Sequence, residues 1–192
     1  SLMNGIVLFL DLDDVLCLNN PFGGYDVLEL LLEVRSGHKT EADLQAIWNQ
    51  LFDDGAKANL ANIHDEFAPV YVMSTSWSRF CDRSLLEAIL QSTGLSFVAD
   101  NLHEDWETEK ATGQTRAEQV RSWLHRHPEF ERRWVVIDDE ASGSGLNSDW
   151  FAADGPFVVL CDVGIGLDAD KSRHLRQAFL ARQWAGDART SP

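Results

Sequence analysis

Apolar and polar positions along the chain follow two rhythms that take turns. Short, mainly apolar runs stand at Ile6–Leu10, Pro69–Met73, Leu95–Ala99, Trp134–Ile137 and Phe157–Leu160. Runs of this length, rich in β-formers, predict strands buried on both faces of a parallel sheet. Between them apolar residues recur at helical spacing. Helices are predicted over Asp26–Val34 (Leu28, Leu31 and Leu32 on one face), Thr40–Leu51 (Leu44, Ile47, Trp48, Leu51) and Ala56–Phe67 (Leu60, Ile63, Phe67). Three more are predicted over Asp82–Gln91, Thr115–His127 (Val120, Trp123, Leu124) and Asp168–Trp184. Gly55, Gly94 and Pro128 read as helix stops, and Asn19–Gly24, Asp100–Gln114 and Ala141–Asn147 read as loops. Strand and helix alternate throughout, which predicts an α/β fold: a doubly wound, Rossmann-like parallel sheet with helices on both faces. Residues 1–192 are expected to form one domain, with 18–54 as a small, cap-like helical insertion after the first strand.

The first run does not simply stop. IVLFL passes into Asp11, Leu12, Asp13 and Asp14 before turning apolar again at Val15 and Leu16. Unpaired carboxylates cannot share a dry interior, so they belong at the carboxyl edge of the sheet, where open α/β folds place ligands. Asp11 and Asp13, two apart, would face the same side of an extended segment. Like charges so close call for a cation, and oxygen donors suit Mg²⁺. A strand followed by an acidic turn would show the same residues.

Charge and cysteine usage narrow the classes. The chain carries 31 acidic and 16 basic residues, a formal net charge of −15, which argues against general affinity for nucleic acid or anionic membrane. Cys17, Cys81 and Cys161 are widely spaced, which favours reduced thiols over a disulfide framework or zinc site. No apolar run reaches the roughly 20 residues that span a bilayer. The start lacks a signal-peptide pattern, so a soluble, cytoplasmic protein is expected.

Three buried strands finish in chemistry: the first in DLDD, the second in Ser74, Thr75, Ser76 and Trp77, the fourth in Asp138, Asp139 and Glu140. In a parallel sheet these ends share one edge. Carboxylates, hydroxyls and a divalent ion together supply what phosphoryl transfer requires: a nucleophile, a proton shuttle, donors for phosphoryl oxygens and charge compensation.

FLDLDDVL, YVMS and WVVIDD, in that order on strands, resemble the motifs of the haloacid dehalogenase (HAD) superfamily of phosphatases and phosphotransferases. The resemblance implies that Asp11 is the nucleophile that becomes an aspartyl phosphate and that Asp13 is the general acid and base. It implies that Ser74 contacts the phosphoryl group, with Thr75 and Trp77 beside it as substrate-binding candidates. Asp139 would be a Mg²⁺ ligand with the Asp11 carboxylate and the Asp13 main-chain carbonyl. Asp138 would orient either a metal-bound water or the cation of the third motif, for which the sequence offers Arg116, at the opening of a helix, and Lys110, in the preceding loop. STSW, the Arg-led helix containing WL, VVIDDE and the late GIGL are similar to one branch: the HAD domain of multi-domain Swiss Army Knife RNA-repair proteins and of many small stand-alone bacterial proteins.

The expected activity is Mg²⁺-dependent phosphomonoester hydrolysis on a small metabolite or a phosphorylated nucleic-acid end. The rivals are a nucleic-acid-end phosphatase of the RNA-repair type, a non-catalytic binding or regulatory module, and phosphotransfer or dehalogenation on the same scaffold. Asp14 stands where many relatives carry Gly, and either faces solvent or caps the next turn. Trp77 can stack on a substrate ring, though packing at the edge of the site is the commoner use. Thr75 and Ser76 can cap the following helix. A solvated helix-face arginine is the expected state of Arg79, and Cys17 is expected to be inert. The six histidines show no HxH or HExxH spacing, which argues against zinc chemistry.

Overall fold

A computed structural model describes residues 5–109, 112–142, 145–146 and 155–187. Its centre is a five-stranded, all-parallel sheet in the order β3-β2-β1-β4-β5. The strands are β1 Val7–Leu10, β2 Val70–Met73, β3 Leu102–Glu107, β4 Trp134–Asp139 and β5 Val158–Cys161. The helices are α1 Gly24–Arg35, α2 Glu41–Leu51, α3 Asp54–Phe67, α4 Arg83–Ser92, the short α5 Ser96–Ala99, α6 Arg116–Arg126 and α7 Ala169–Asp187.

Side chains leave a strand alternately to either face, so β1, β2, β4 and β5 feed two cores. Leu8, Leu10, Tyr71, Met73, Val135, Ile137 and Val159 join the larger one, with buried residues of α1–α5 and α7. Val7, Phe9, Val72, Trp134 and Val136 join the other, under Ala117, Val120 and Trp123 of α6. Helices therefore lie on both faces, and β1 is buried along its whole length. No described helix is long and apolar enough to cross a membrane.

Two predicted elements exchange places. Leu95–Ala99 is not a strand: Gly94 turns the chain at φ 84°, the Leu95 amide closes back on the Leu90 carbonyl, and α5 buries Val98 and Ala99 in the larger core. A five-residue, mainly apolar run has no periodicity of its own to separate strand from helix. The third strand is instead Leu102–Glu107, inside the segment expected to be an exposed loop. As the edge strand it pairs on one side only and carries His103, Glu104, Asp105 and Glu107, the charged pattern by which sheet edges avoid further pairing.

Smaller differences lie around the helices near the entrance. Gly55 does not stop α2; it stands in the first turn of α3, where Asp53 caps the Ala56 amide. In α1 the inward stripe is Val27 and Leu30, Leu28 and Leu31 are half-buried, and Leu32 is 55% exposed. One face of a helix cannot bury Leu30, Leu31 and Leu32 together.

Candidate active site

Register brings the site together. Leu10 pairs with Met73 on one side and Ile137 on the other, and Met73 pairs with Glu107. One step further along each strand stand Thr108, Ser74, Asp11 and Asp138, a row across four adjacent strand ends. The ladder continues under them, with the Ser74 amide donating to the Leu10 carbonyl (2.8 Å) and the Asp11 amide to the Ile137 carbonyl (3.2 Å).

Asp11, Asp138 and Asp139 are buried, and each offers a carboxylate oxygen within 4.8 Å of the others. Asp138 Oδ1 accepts from the Asp139 amide (2.8 Å), and Asp139 Oδ1 accepts from the amides of Ala141 (2.9 Å) and Ser142 (2.7 Å). Among the described residues, the buried second oxygens Asp11 Oδ2 and Asp139 Oδ2 have no hydrogen-bond partner, and Asp138 Oδ2 has only its ion pair with Arg116. Burial, then the Asp138 charge, pushes the Asp11 carboxyl well above its usual range, against the pull of Arg116. Burial likewise raises Asp138, to about 6. Three buried acids, two of them with an unmet oxygen, are the donor set of a hard divalent cation, and these residues fit Mg²⁺.

Arg116 supplies positive charge from the other side. A capping box fixes the first turn of α6: the Thr115 amide donates to Glu118 (2.9 Å) and the Glu118 amide to Thr115 Oγ1 (3.2 Å). This sets Arg116 at the first helical position, with Nε 3.3 Å from Asp138 Oδ2 and Nη1 donating to Ser74 Oγ at 3.5 Å. The Ser74 hydroxyl also accepts from Thr108 Oγ1 (3.4 Å). Thr108 is buried and belongs to the row; the sequence reading missed it because it lay in a segment read as loop. No local pattern in Leu102–Glu107 pointed there.

Asp13 stands apart from the acidic cluster. It is half-buried, and its Oδ2 accepts the indole N–H of Trp77 at 3.1 Å. Burial raises its carboxyl above the usual range, and the Trp77 hydrogen bond opposes that. Trp77 has no exposed surface, so it presents no ring face for stacking, and Thr75 is buried with its hydroxyl accepting from the Trp77 amide (3.3 Å). Both substrate-binding candidates are thus occupied in holding the turn after β2. Arg79 pairs with Glu109 at the surface. Lys110 lies outside the described residues.

Asp14 adopts φ 57°, and its Oδ1 accepts the Gly164 amide (2.9 Å), while the Leu167 amide donates to Val15 (2.9 Å). The GIGL segment is thereby clasped to the loop that carries Asp13. Gly166 is needed there: φ is 71°, and a Cβ would stand 2.6 Å from the Val15 carbonyl oxygen. Burial pushes the thiols of Cys17, Cys81 and Cys161 up to about 12, away from thiolate chemistry. Beside Asp13 opens a cavity of about 510 Å³, bounded by Tyr25 and Leu28 of α1 and by Ser76, Arg79 and Phe80. Tyr25, 90% exposed at its rim, had no signal in the sequence.

A parallel α/β sheet with an Asp-x-Asp strand end, a buried hydroxyl and an acidic pair along one edge defines a HAD-type domain. The family of the HAD domain in Swiss Army Knife RNA repair proteins matches residues 7–171, nearly the whole chain, and the chain belongs to it. That membership places it among HAD-type hydrolases and phosphatases, which act in general on phosphorylated substrates. No curated protein and no solved structure matches it significantly.

Proposed function

We propose that this protein is a Mg²⁺-dependent phosphomonoester hydrolase that works through an aspartyl phosphate on Asp11. The observation that carries the reading is the set of three buried carboxylates, two of them with an oxygen that has no partner among the described residues, beside Ser74 and Arg116.

The carboxylates of Asp11, Asp138 and Asp139 and the main-chain carbonyl of Asp13 would hold the ion. Bound there, Mg²⁺ offsets the repulsion between an anionic nucleophile and an anionic substrate. The Ser74 hydroxyl and the Arg116 guanidinium bind phosphoryl oxygens, and Asp138 keeps Arg116 in place. An Asp11 oxygen attacks phosphorus, the bond to the leaving oxygen breaks, and Asp13 gives that oxygen its proton. Asp13 then takes a proton from water, whose oxygen attacks the phosphorus of the aspartyl phosphate. Phosphate leaves and the Asp11 carboxylate is restored.

Residues 18–54 act in this reading as a cap-like insertion within a single domain, α1 covering one side of the entrance. Three free, buried thiols suit a reducing cytoplasm. The family's printed association with RNA repair makes a phosphorylated RNA end one substrate to try, beside small phosphorylated metabolites.

The test is phosphate release from p-nitrophenyl phosphate, nucleotides, sugar phosphates and 3′- or 5′-phosphorylated oligonucleotides, with and without Mg²⁺. Turnover that needs the ion and disappears in Asp11→Asn supports the proposal. Full activity in Asp11→Asn, in preparations free of host phosphatase, removes Asp11 as nucleophile. No turnover on any substrate transfers the reading to a metal-holding module without catalysis.

A further inference from the structure

We infer that Trp77 is a positioning residue that decides which oxygen of Asp13 carries the catalytic proton; this rests on the reading of Asp13 as general acid.

An indole N–H donates and cannot accept. With Trp77 Nε1 3.1 Å from Asp13 Oδ2, that oxygen must remain an acceptor. A hydroxyl oxygen accepts more weakly than a bare carboxyl oxygen, so the proton of the neutral carboxyl is favoured on Oδ1, which is buried and makes no hydrogen bond among the described residues. Oδ1 is thus the oxygen left to serve the leaving group. When its O–H bond breaks and the leaving oxygen gains the hydrogen, the electron pair stays on the carboxylate, whose other oxygen is already held by the indole. A carboxyl without that donor would share its proton between both oxygens and turn about its Cβ–Cγ bond.

The indole itself has no freedom to turn. Trp77 is fully buried, with the rings of Phe52 and Phe80 at 5.9 and 5.7 Å between centroids. On its polar edge the backbone of α1 passes so close that a Cβ on Gly24 would stand 2.8 Å from Nε1. Gly24 and Phe52 come from the two ends of the helical pair between β1 and α3. The same helical pair that borders the entrance therefore walls in the ring that aims the acid.

Trp77→Phe keeps a ring in the core and removes only the donor and part of the volume. A merely structural loss lowers turnover of every substrate alike. A misplaced acid harms substrates with poor leaving groups most, because p-nitrophenolate departs with little need of a proton. The expected result for Trp77→Phe is a fall in kcat of about tenfold or more on an alkyl phosphomonoester, within the roughly 10²–10⁴ that general acid catalysis contributes. On p-nitrophenyl phosphate the fall is severalfold smaller, with KM little changed on both. Equal losses on the two substrates overturn the proposal, as does no loss on either.

The second measurement needs no turnover and no change at Trp77. In ¹⁵N-labelled protein with its seven tryptophans, Asp13→Ala moves one indole N–H resonance upfield, because that donor has lost a carboxylate. No such movement overturns the contact and the proposal with it. Inactivity of the parent protein on every phosphomonoester would instead remove the phosphatase reading, leaving the indole shift to decide the contact by itself.

Discussion

Two clusters of metal-ligating side chains occur among the described residues, and they differ in one respect that matters. Asp11, Asp138 and Asp139 meet at the carboxyl edge of the sheet; His103, His127 and Glu129 meet beside the edge strand. By distance alone either set could hold an ion. In the histidine cluster three of the four ring nitrogens have partners: His103 Nδ1 accepts the Asp105 amide (2.9 Å), His127 Nε2 meets Asp105 Oδ2 (2.8 Å), and His127 Nδ1 lies 3.4 Å from Glu129. Because His103 accepts on Nδ1, its proton sits on Nε2, where it blocks a metal. Trp123 stacks on His127 (4.1 Å), so this cluster is packing plus internal hydrogen bonds. The acidic cluster gathers three carboxylates against one arginine, and Asp11 Oδ2 and Asp139 Oδ2 are buried with no hydrogen-bond partner among the described residues. Proximity makes a cluster; unmet valence makes a site.

The comparison breaks most visibly through Asp11→Asn. Loss of the nucleophile should reduce phosphate release by about 10³-fold or more, as removal of activated nucleophiles does elsewhere. Removing one of three like charges should also raise the apo protein's Tm by about 2–4 °C, the shift that roughly 1 kcal/mol gives a domain of this size. Turnover assays and thermal scans in chelator check the pair. A variant both inactive and less stable would mean that the acids are not in conflict.

Metal addition separates the clusters next. Mg²⁺ at a hundred times its Kd should stabilise the protein by about 2.7 kcal/mol, read as a rise in Tm. Asp139→Asn should remove most of that rise and His127→Gln none of it. A Mg²⁺ response that vanishes in His127→Gln would reverse the assignment.

Asp105→Asn tests the opposite cluster. Asp105 also meets Arg126 (3.0 Å), and its carbonyl accepts the Trp123 indole. Weakening this network should lower stability to urea by about 1–2 kcal/mol while leaving kcat unchanged. A large loss of kcat in a folded variant would tie the edge strand to the chemistry.

Acid and base should move the two clusters in opposite directions. The Asp11 and Asp138 carboxyls are raised by burial, so their contribution is full below the ordinary carboxylate range and declines as pH rises, for Asp138 through about 6. Burial lowers His103, so its contribution is full above the ordinary histidine value and declines as pH falls through the lowered one. Without divalent ions, Asp138→Asn should therefore gain on the parent by about 1–2 kcal/mol between roughly pH 4 and 6. Urea titrations at several pH values measure it, and a flat difference would show that Asp138 does not titrate there.

The smallest effect is expected at Thr108. Thr108→Val removes the hydroxyl 3.4 Å from Ser74 Oγ and should lower kcat a few-fold without altering the Mg²⁺ response. An unchanged kcat would make Thr108 a packing residue at the strand end.

By itself the sequence determined β1, β2, β4 and β5, because buried parallel strands must be continuously apolar and few other elements are. It determined that DLDD, Ser74 and the Asp138–Asp139 pair stand at strand ends, since charge cannot enter those runs. The helix predicted over Thr115–His127 likewise set Arg116 at its opening, where α6 begins. Only the tertiary structure decided that LHEDWE, and not LSFVA, is the third strand: an edge strand is selected by the neighbour it pairs with, and its charged side chains carry no apolar period. Only the tertiary structure joined Thr108 to Ser74, Asp14 to Gly164, and the Trp77 indole to Asp13. Those contacts cross 34, 150 and 64 residues of chain. Hydrogen bonds at such separations are fixed by strand register and close packing, which no local pattern of residues encodes.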